Sequence, residues 1–419
     1  MTGDPREIAY DVMTAVREKD AYANLLLPGL LAGLSARDAA LATELTSNTI
    51  RRQGTYDAII DAVATGTVDP AVRDALRLGT HQLLAMRIPS HAAVDTTVRL
   101  VRRKVGHRPV GFTNAVLRKI AGQDLATWLD QLTAGLGRTD ALALRYSHPA
   151  WVVAALEEAV GPDRIEALLA ADNAPPHVTL AARPGLAEPA ELPGEPGRLS
   201  PYARVLPGGD PGVVAAVRDG RAGVQDEGSQ MVAITLADAP VDGYDTYWLD
   251  LAAGPGGKAA LLGAIGAGRG ATLVANEPQP HRAQLVRQSV RALRNVEVTV
   301  YDGREGPWEE DSFDRVLLDA PCTGLGALRR RPEARWRRQP EDVPALVALQ
   351  TALLGRAVAL ARPGAVVGYA TCSPLLAETR DVVDAVLAAR GDVSLESEHR
   401  WWPDTDGTDA MYLAVLGRT

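Results

Sequence analysis

Apolar side chains in the first part of the chain recur every three or four positions, the spacing that places them on one face of a helix. Ile8, Val12 and Val16 form one such series, and Val94 and Val98 begin another. Breaks between the predicted helices fall at Pro28-Gly29, at Gly66 to Pro70 and at Pro89. The pattern predicts an all-α helical bundle with short connections over residues 1–140.

A different pattern follows between about Tyr146 and Asp226, where proline and glycine replace long helical runs. This stretch contains AEPAELPGEPGRLSP, yet the residues from Trp151 to Val153 and from Val178 to Leu180 are apolar enough to belong to a core. We predict a small mixed α/β domain over residues 141–226, which connects its neighbours. A plain linker is the alternative.

From about Gln230 onward, short apolar runs of strand type alternate with helical segments. The five predicted strands are TYWLDL, TLVANE, VEVTVYD, FDRVLLDA and AVVGYATCS. Alternation of this kind is typical of a parallel sheet with helices on both faces, so residues 227–419 are predicted to form a Rossmann-like α/β domain. Because ligands of such sheets bind at the carboxyl ends of the strands, the residues just after each run are the candidates for function.

The composition agrees with a multidomain protein that folds in water. With 419 residues, 46% of them hydrophobic and 23% charged, the chain lies in the globular range and exceeds one ordinary domain. No apolar run reaches the roughly 18 residues of a membrane helix, and the N-terminus carries charges where an export signal has its apolar core. We therefore expect a cytoplasmic protein with no membrane span, two reduced cysteines and no bound metal.

Charge is unevenly distributed along the chain. The formal net charge of −8 taken alone argues against a polyanionic partner. The segment from Arg99 to Lys119, however, contains seven basic residues and no acidic one, and the segment from Arg329 to Arg338 contains six arginines against one glutamate. Each cluster is a candidate surface for the phosphates of a nucleic acid, and Trp336 in the second is a candidate for stacking on a base. A solvated helix surface is the alternative for both.

Three successive predicted strands end in residues suited to an adenosine-bearing ligand. The first is followed by a glycine-rich turn, which lets backbone N–H groups approach a ligand closely. The second ends at Glu277, suited to ribose hydroxyls, and the third at Asp302, suited to an adenine amino group, although either carboxylate alone is more often a cap or a solvated loop residue. The turn matches neither a phosphate loop nor a dinucleotide turn, which favours S-adenosylmethionine as the cofactor. The predicted cofactor residues are Ala252, Ala253, Gly254, Pro255, Gly256, Gly257, Lys258, Glu277, Asp302 and Asp319.

The fourth and fifth predicted strands end in DAPCTG and YATCSP, so Cys322 and Cys372 both follow a strand at the ligand edge. A buried structural thiol is the alternative for each. Two thiols beside a methyl donor suggest cytosine C5 methylation, because thiolate addition at C6 makes C5 nucleophilic and a second group can then take the C5 proton. Asp319 is suited to hydrogen bonding with the N3/N4 edge of the ring, and Lys258 and Arg330 are candidates for lowering a thiol pKa.

The segments DLAAGPGGK, DAPCTG, RRRPEARW and YATCSP, in this order, resemble the NOL/NOP/Sun family of RNA cytosine-C5 methyltransferases over roughly Gln225 to the C-terminus. The segments AYANLLLPGLL, ALRLGTHQLLAMRIPSHAAV and GFTNAVLRKIA resemble the NusB-like RNA-binding domain. This resemblance implies that Cys372 is the nucleophile and that Cys322 assists product release, whereas the pattern of DNA cytosine methyltransferases would make Cys322 the nucleophile. The joint arrangement is similar to that of the bacterial Sun/Fmu enzymes, which implies an unpaired or loop cytosine of 16S ribosomal RNA as the substrate. The resemblance also implies that residues 141–226 take part in RNA binding.

The chain departs from the family pattern in three places. Ala252-Ala-Gly254 replaces Cys-Ala-Ala, Glu378-Thr-Arg380 stands near the usual Glu-Asn-Glu, and Tyr412 stands where the family commonly has Phe. Two other functions remain open from the sequence. One is the same chemistry on transfer RNA or another RNA, and the other is a non-catalytic NusB-like RNA-binding or transcription factor. The oligomeric state is open as well.

Overall fold

A computed structural model describes residues 3–419, so the first two residues of the predicted helical bundle lie outside the described residues. The helices within this range are α1 Pro5–Lys19, α2 Ala23–Leu31, α3 Ala36–Arg51, α4 Gln53–Val63, α5 Pro70–Leu84, α6 Ser90–Lys104, α7 Val110–Ile120, α8 Leu125–Thr133, α9 Arg138–Tyr146, α10 Ala150–Val160, α11 Ile165–Asp172, α12 Ala215–Arg218, α13 Glu227–Asp238, α14 Gly257–Gly268, α15 Pro280–Val290, α16 Ala334–Arg337, α17 Val343–Leu360 and α18 Arg380–Ala389. The strands are β1 Thr179–Ala182, β2 Glu195–Pro196, β3 Ala203–Val205, β4 Ala222–Val224, β5 Tyr247–Asp250, β6 Thr272–Asn276, β7 Val296–Thr299, β8 Phe313–Asp319, β9 Ala361–Thr371, β10 Val393–Trp401 and β11 Met411–Arg418.

The chain forms two compact units. The helical unit consists of Met1–Asn173 together with Leu328–Arg337, and the sheet unit consists of Ala174–Ala327 together with Arg338–Thr419. The predicted division at residues 140 and 226 is finer than this one and stays a prediction.

The helical unit confirms the helices that the apolar spacing predicted. Val12 in α1 and Val94 in α6 are buried, and Ile8, Val16 and Val98 pack against the same clusters. Side chains at the start of several helices accept hydrogen bonds from first-turn N–H groups, which otherwise lack partners. These N-cap residues are Asp4, Ser35, Asp69 and Asp124.

The break predicted at Pro28-Gly29 is wrong, because α2 continues through Pro28 to Leu31. Proline removes one intrahelical hydrogen bond, which normally ends a helix. Here Ala23 and Leu27 are buried in the core of the unit, and their packing offsets the missing bond in this nine-residue helix. The breaks predicted at Gly66 to Pro70 and at Pro89 are confirmed, since α5 begins at Pro70 and α6 at Ser90.

Residues 328–337 are a structural part of the helical unit, and Arg335 and Trp336 do not fit the predicted RNA surface, whereas the role of the other arginines in this run stays a prediction. The guanidinium of Arg335 has no exposure and donates to the carbonyl of Ser147 at 3.0 Å and to Asn173 Oδ1 at 2.9 Å. Arg51 donates to the carbonyl of Arg329 at 2.8 Å. A Cβ at Gly54 would meet the ring of Trp336 at 2.3 Å, so this ring packs closely on α4 and is unsuited to stacking on a base.

The sheet unit begins with a four-stranded antiparallel sheet in the order β2-β3-β1-β4. Its small core contains Leu180, Leu192, Leu206 and Ala216. The apolar residues from Val178 to Leu180, which the sequence analysis assigned to a core, therefore do contribute to one.

The second sheet has seven strands in the order β10-β11-β9-β8-β5-β6-β7. The five predicted strands are β5 to β9, and the pairs among them are parallel, as predicted. Alternate residues face two clusters, for example Leu317 on one face and Leu318 on the other, with α13 and α14 on the first face and α17 and α18 on the second. Strands β10 and β11 were not predicted from the sequence. They extend the sheet as an antiparallel hairpin.

One helical stretch, Pro340–Leu360, is long and apolar enough to span a membrane by length and composition, with a mean hydropathy of 1.7. A core helix of a soluble protein passes the same test. Leu353, Leu354 and Val358 of this stretch belong to the cluster that covers one face of the large sheet, so core packing accounts for its apolar character.

The topology sets the place for a ligand. Strand β5 lies between β6 and β8, and the chain runs from β5 through β6 to β7 on one side before it crosses to β8 and β9 on the other. At such a switch point the loops after the strands diverge and leave a crevice at the carboxyl ends. Asp250, Glu277, Asp319 and Cys372 all lie at this edge.

Candidate active site

The turn between β5 and α14 requires glycine for two physical reasons. Gly256 has φ +104, a backbone conformation that side chains disfavour. A Cβ at Gly254 would lie 2.1 Å from Oε2 of Glu277, so only hydrogen allows the turn to approach that carboxylate. The turn is anchored by the Ala253 N–H on the carbonyl of Asn276 at 2.7 Å and by Arg282 on the carbonyl of Gly254 at 2.9 Å.

Asp250, the last residue of β5, carries a polar group with unmet hydrogen-bonding capacity. It is completely buried, and neither carboxylate oxygen has a hydrogen-bond partner among the described residues. Burial, followed by the charge of Asp319, raises the pKa of Asp250 to about 8. Such a carboxylate suits a ligand with a cationic amino group, as S-adenosylmethionine has. No role was predicted for Asp250 from the sequence, although its position directly before the glycine-rich turn is a signal that could have indicated one.

Glu277 and Asp302 differ in their availability. Glu277 is buried, its Oε1 accepts the Gln279 N–H at 3.0 Å, and its Oε2 faces the glycine-rich turn. Asp302 is exposed, and Arg304 donates to its carboxylate through Nε at 3.0 Å and Nη2 at 2.6 Å. These side-chain hydrogen bonds lower the pKa of Asp302 to about 2. Arg282 Nη2 lies 3.6 Å from Oε2 of Glu277, beyond hydrogen-bond distance, so Glu277 fits the predicted ribose contact, whereas Asp302 would have to release Arg304 first.

The two thiols are in contact, although fifty residues separate them along the chain. Sγ of Cys322 lies 3.5 Å from Sγ of Cys372, and both side chains are partly exposed. The hydrogen bond to Cys372 and then burial raise the pKa of the Cys322 thiol, with smaller contributions from the charges of Cys372, Glu378 and Asp319. The raised pKa means that this geometry favours keeping the proton on Cys322.

Lys258 and Asp319 form an ion pair beside the thiols. Nζ of Lys258 lies 2.8 Å from Oδ2 of Asp319. Burial lowers the pKa of Lys258, but the charge and hydrogen bond of Asp319 and the charges of Cys372 and Asp250 outweigh it and raise the pKa overall. The ammonium group is thus cationic and close enough to Cys372 to interact electrostatically with a thiolate there. Arg330, the other candidate for this effect, belongs to the helical unit.

A Rossmann-like sheet with a glycine-rich turn, an unpaired buried Asp250 and acidic strand ends defines the class of the protein, a methyltransferase that uses S-adenosylmethionine. Residues 234–417 match the family described as 16S rRNA methyltransferase RsmB/F, and residues 4–122 match the NusB family. The chain belongs to the RsmB/F family of ribosomal RNA methyltransferases, and its N-terminal part to the NusB family.

Relatives cover nearly the whole chain. The Mycobacterium tuberculosis protein Rv1407, which is named as a methyltransferase, is 50% identical over 99% of this chain and 97% of its own length. Ribosomal RNA small subunit methyltransferase B of Pseudomonas putida is 32% identical over 92% of this chain and 89% of its own length. The crystal structure of the protein PH0851 is 21% identical and superposes with a TM-score of 0.83 over 100% of both chains, which shows a shared fold.

Proposed function

We propose that the protein methylates C5 of an unpaired cytosine in 16S ribosomal RNA through a transient covalent bond between Cys372 and C6 of the base. The observation that carries the proposal is the 3.5 Å contact between the only two thiols of the chain, at the carboxyl edge of the sheet that binds the cofactor. The relatives named as ribosomal RNA small subunit methyltransferase B support the choice of RNA. For the same reason we propose a cytoplasmic location.

The first step is addition of the Cys372 sulfur to C6 of the ring. The raised pKa of Cys322 favours a retained proton on that residue, which agrees with our proposal that Cys372 is the sulfur that reacts as a thiolate. The new S–C6 bond moves a ring electron pair toward C5. Asp319 accepts from the N4 amino group, and Lys258 provides positive charge beside the anionic ring. Glu277, Asp250 and the turn from Ala252 to Lys258 would hold the cofactor, which would supply a methyl group to C5.

The second step removes the C5 proton and releases the enzyme. Once Cys372 is bonded to carbon, its negative charge no longer raises the pKa of Cys322. Cys322 can then lose its own proton to solvent and accept the proton from C5. The electrons of the C5–H bond form the C5=C6 double bond, and the S–C6 bond breaks to return the Cys372 thiolate. These two steps give each thiol a separate task.

The helical unit offers a basic face for the same RNA. Within the predicted cluster from Arg99 to Lys119, Arg103 and Lys104 are already paired with carboxylates of α1 and its N-cap residue, and Arg99 is paired with Asp95. Arg102 and Arg108 are exposed and have no ion pair among the described residues. These two guanidinium groups are the phosphate contacts that we expect from this unit.

Covalent trapping tests the assignment of the thiols. We expect Cys322→Ala to accumulate a protein–RNA adduct that resists denaturation, because the addition proceeds and the release is slowed. Cys372→Ala should form no adduct and transfer no methyl group, yet bind the cofactor as the wild type does in calorimetry. Adduct formation by Cys372→Ala would assign the nucleophile to Cys322.

Bisulfite mapping of cellular RNA, with and without this gene, tests the substrate. We expect one cytosine of 16S ribosomal RNA to lose its protection when the protein is absent. Protection lost from transfer RNA alone would contradict the ribosomal substrate. RNA binding without any change in cytosine methylation would favour the non-catalytic alternative.

A further inference from the structure

Glu378 lies in the turn before α18, and its carboxylate is completely buried. It accepts four hydrogen bonds in the sheet unit. The donors are the backbone N–H of Thr323 at 2.8 Å, the hydroxyl of Thr323, the hydroxyl of Ser373 at 2.6 Å and Nε2 of Gln350 at 2.9 Å. A carboxylate has about four acceptor positions, so these donors saturate it.

Two of the donor residues directly follow the two cysteines. Thr323 comes after Cys322 and Ser373 after Cys372, and the two hydroxyl oxygens lie 3.2 Å apart. One carboxylate therefore ties both cysteine loops together at their first residue beyond the sulfur. We propose that Glu378 is a positioning residue that holds the two thiols in contact. The catalytic meaning of that contact rests on the proposed function.

Backbone pairing alone does not fix the Cys322 loop. The β8–β9 ladder ends where the N–H of Ala320 meets the carbonyl of Ala370 at 2.8 Å, and the next backbone bond joins the N–H of Gly326 to the carbonyl of Cys372 at 2.8 Å. Residues 321–325 span the interval between these bonds. Within it, both donors of Thr323 are directed to Glu378, and the Glu378 carbonyl accepts the hydroxyl of Tyr369 at 2.8 Å.

The negative charge of Glu378 acts in the same direction as its hydrogen bonds. It contributes to the raised pKa of Cys322, after the hydrogen bond to Cys372 and burial. Glu378 thus favours the arrangement in which Cys322 keeps its proton and donates toward Cys372. Removing the carboxylate would both free the loop and weaken this preference.

The rate of disulfide formation reports how closely the two thiols are held together, and its measurement needs no RNA. The oxidant diamide takes two electrons and two protons from the thiol pair, leaving an S–S bond and the reduced hydrazine. In the full-length protein we expect Glu378→Ala to slow this intramolecular oxidation about tenfold or more, because small misplacements of reacting groups cost one to two orders of magnitude in rate. Ser373→Ala, which removes one donor and leaves the carboxylate, should slow it less.

Glu378→Gln separates the charge from the shape, because the hydroxyls of Thr323 and Ser373 can turn to accept from its amide. We expect it to oxidise closer to the wild-type rate than Glu378→Ala does. Asp314→Asn is the matched control, since Asp314 is a buried carboxylate at the opposite end of β8 that accepts from the N–H groups of Thr246 and Tyr247. It should leave the oxidation rate unchanged.

The outcomes separate the two proposals. Wild-type oxidation rates in both Glu378→Ala and Ser373→Ala would overturn the positioning role, whatever the methylation assay gives. Slower oxidation in Glu378→Ala, with Asp314→Asn unaffected, supports it even where wild-type protein methylates no cytosine, a result that would overturn the proposed function alone. If circular dichroism shows that Glu378→Ala does not fold, the test rests on Ser373→Ala. A wild-type oxidation rate in Ser373→Ala would then overturn the positioning role.

Discussion

Replacing Arg335 by methionine removes the buried guanidinium that joins residues 328–337 to the helices of its unit. Methionine fills much of the same space without donors, so the variant leaves four acceptors behind. Two of them, the Ser147 carbonyl and Asn173 Oδ1, lie at 3.0 and 2.9 Å, and the carbonyls of Arg51 and Asp172 lie at 3.3 and 3.4 Å. The two short bonds dominate the expected loss.

The magnitude follows from two opposing effects. Each buried acceptor left without a donor costs about 1–3 kcal/mol, which gives about 2–6 kcal/mol for the two short bonds. Removing a buried charge recovers part of its desolvation cost, and burial does lower the pKa of Arg335. We therefore expect a net loss of about 2–4 kcal/mol in the stability of the helical unit.

Arg331 is the matched control in the same segment, because it is exposed and its guanidinium lies 5.3 Å from the ring of Tyr22. Arg331→Met should cost about 1 kcal/mol or less, the range of an exposed cation–π contact. Hydrogen exchange followed by mass spectrometry on peptides from α3, α9 and α11 measures the loss locally. Equal protection in both variants would refute the reasoning that buried donors hold this segment.

Two further predictions concern pH and RNA. The pKa of Asp250 is raised by burial to about 8, above its unfolded value of about 3.9, so the native state binds more protons between these values and the free energy of unfolding falls as pH rises through this interval. Urea titrations without cofactor should show this slope, Asp250→Asn should flatten it, and an unchanged slope would contradict the burial argument. For RNA, Arg102→Ala with Arg108→Ala should lower the salt dependence of binding by about 0.9 per lost phosphate contact, and the already paired Arg103→Ala should lower it less. An equal salt dependence of RNA binding in the wild type and the double variant would show that Arg102 and Arg108 do not contact the RNA.

The parallel core of the fold could be predicted because its signals are local. Each apolar run from β5 to β9 is short and ends in glycine, an acid or cysteine, so strand limits and functional edge are both visible in a few residues. The order of these elements then implies the sheet. The contact between Cys322 and Cys372 follows from that sheet, since β8 and β9 are neighbours in it.

Features that depend on distant partners were not predictable in the same way. Periodicity shows that a residue is buried but does not name what it packs against. Arg335 was interpreted as part of an exposed cluster because its partner Ser147 lies 188 positions away, and the role of Glu378 was missed because Thr323 lies 55 positions before it. The helix break predicted at Pro28 was wrong for a related reason, since the core contacts that keep α2 helical come from other helices.

The inclusion of residues 328–337 in the helical unit has a consequence for biosynthesis. Domains usually fold in order as the nascent chain leaves the ribosome, the N-terminal one first. Here the first 173 residues lack Arg335 and its companions until synthesis has passed residue 337, when most of the sheet strands have also been made. The N-terminal unit therefore reaches its final form late in translation, and a gene fragment that stops at residue 173 encodes it incompletely.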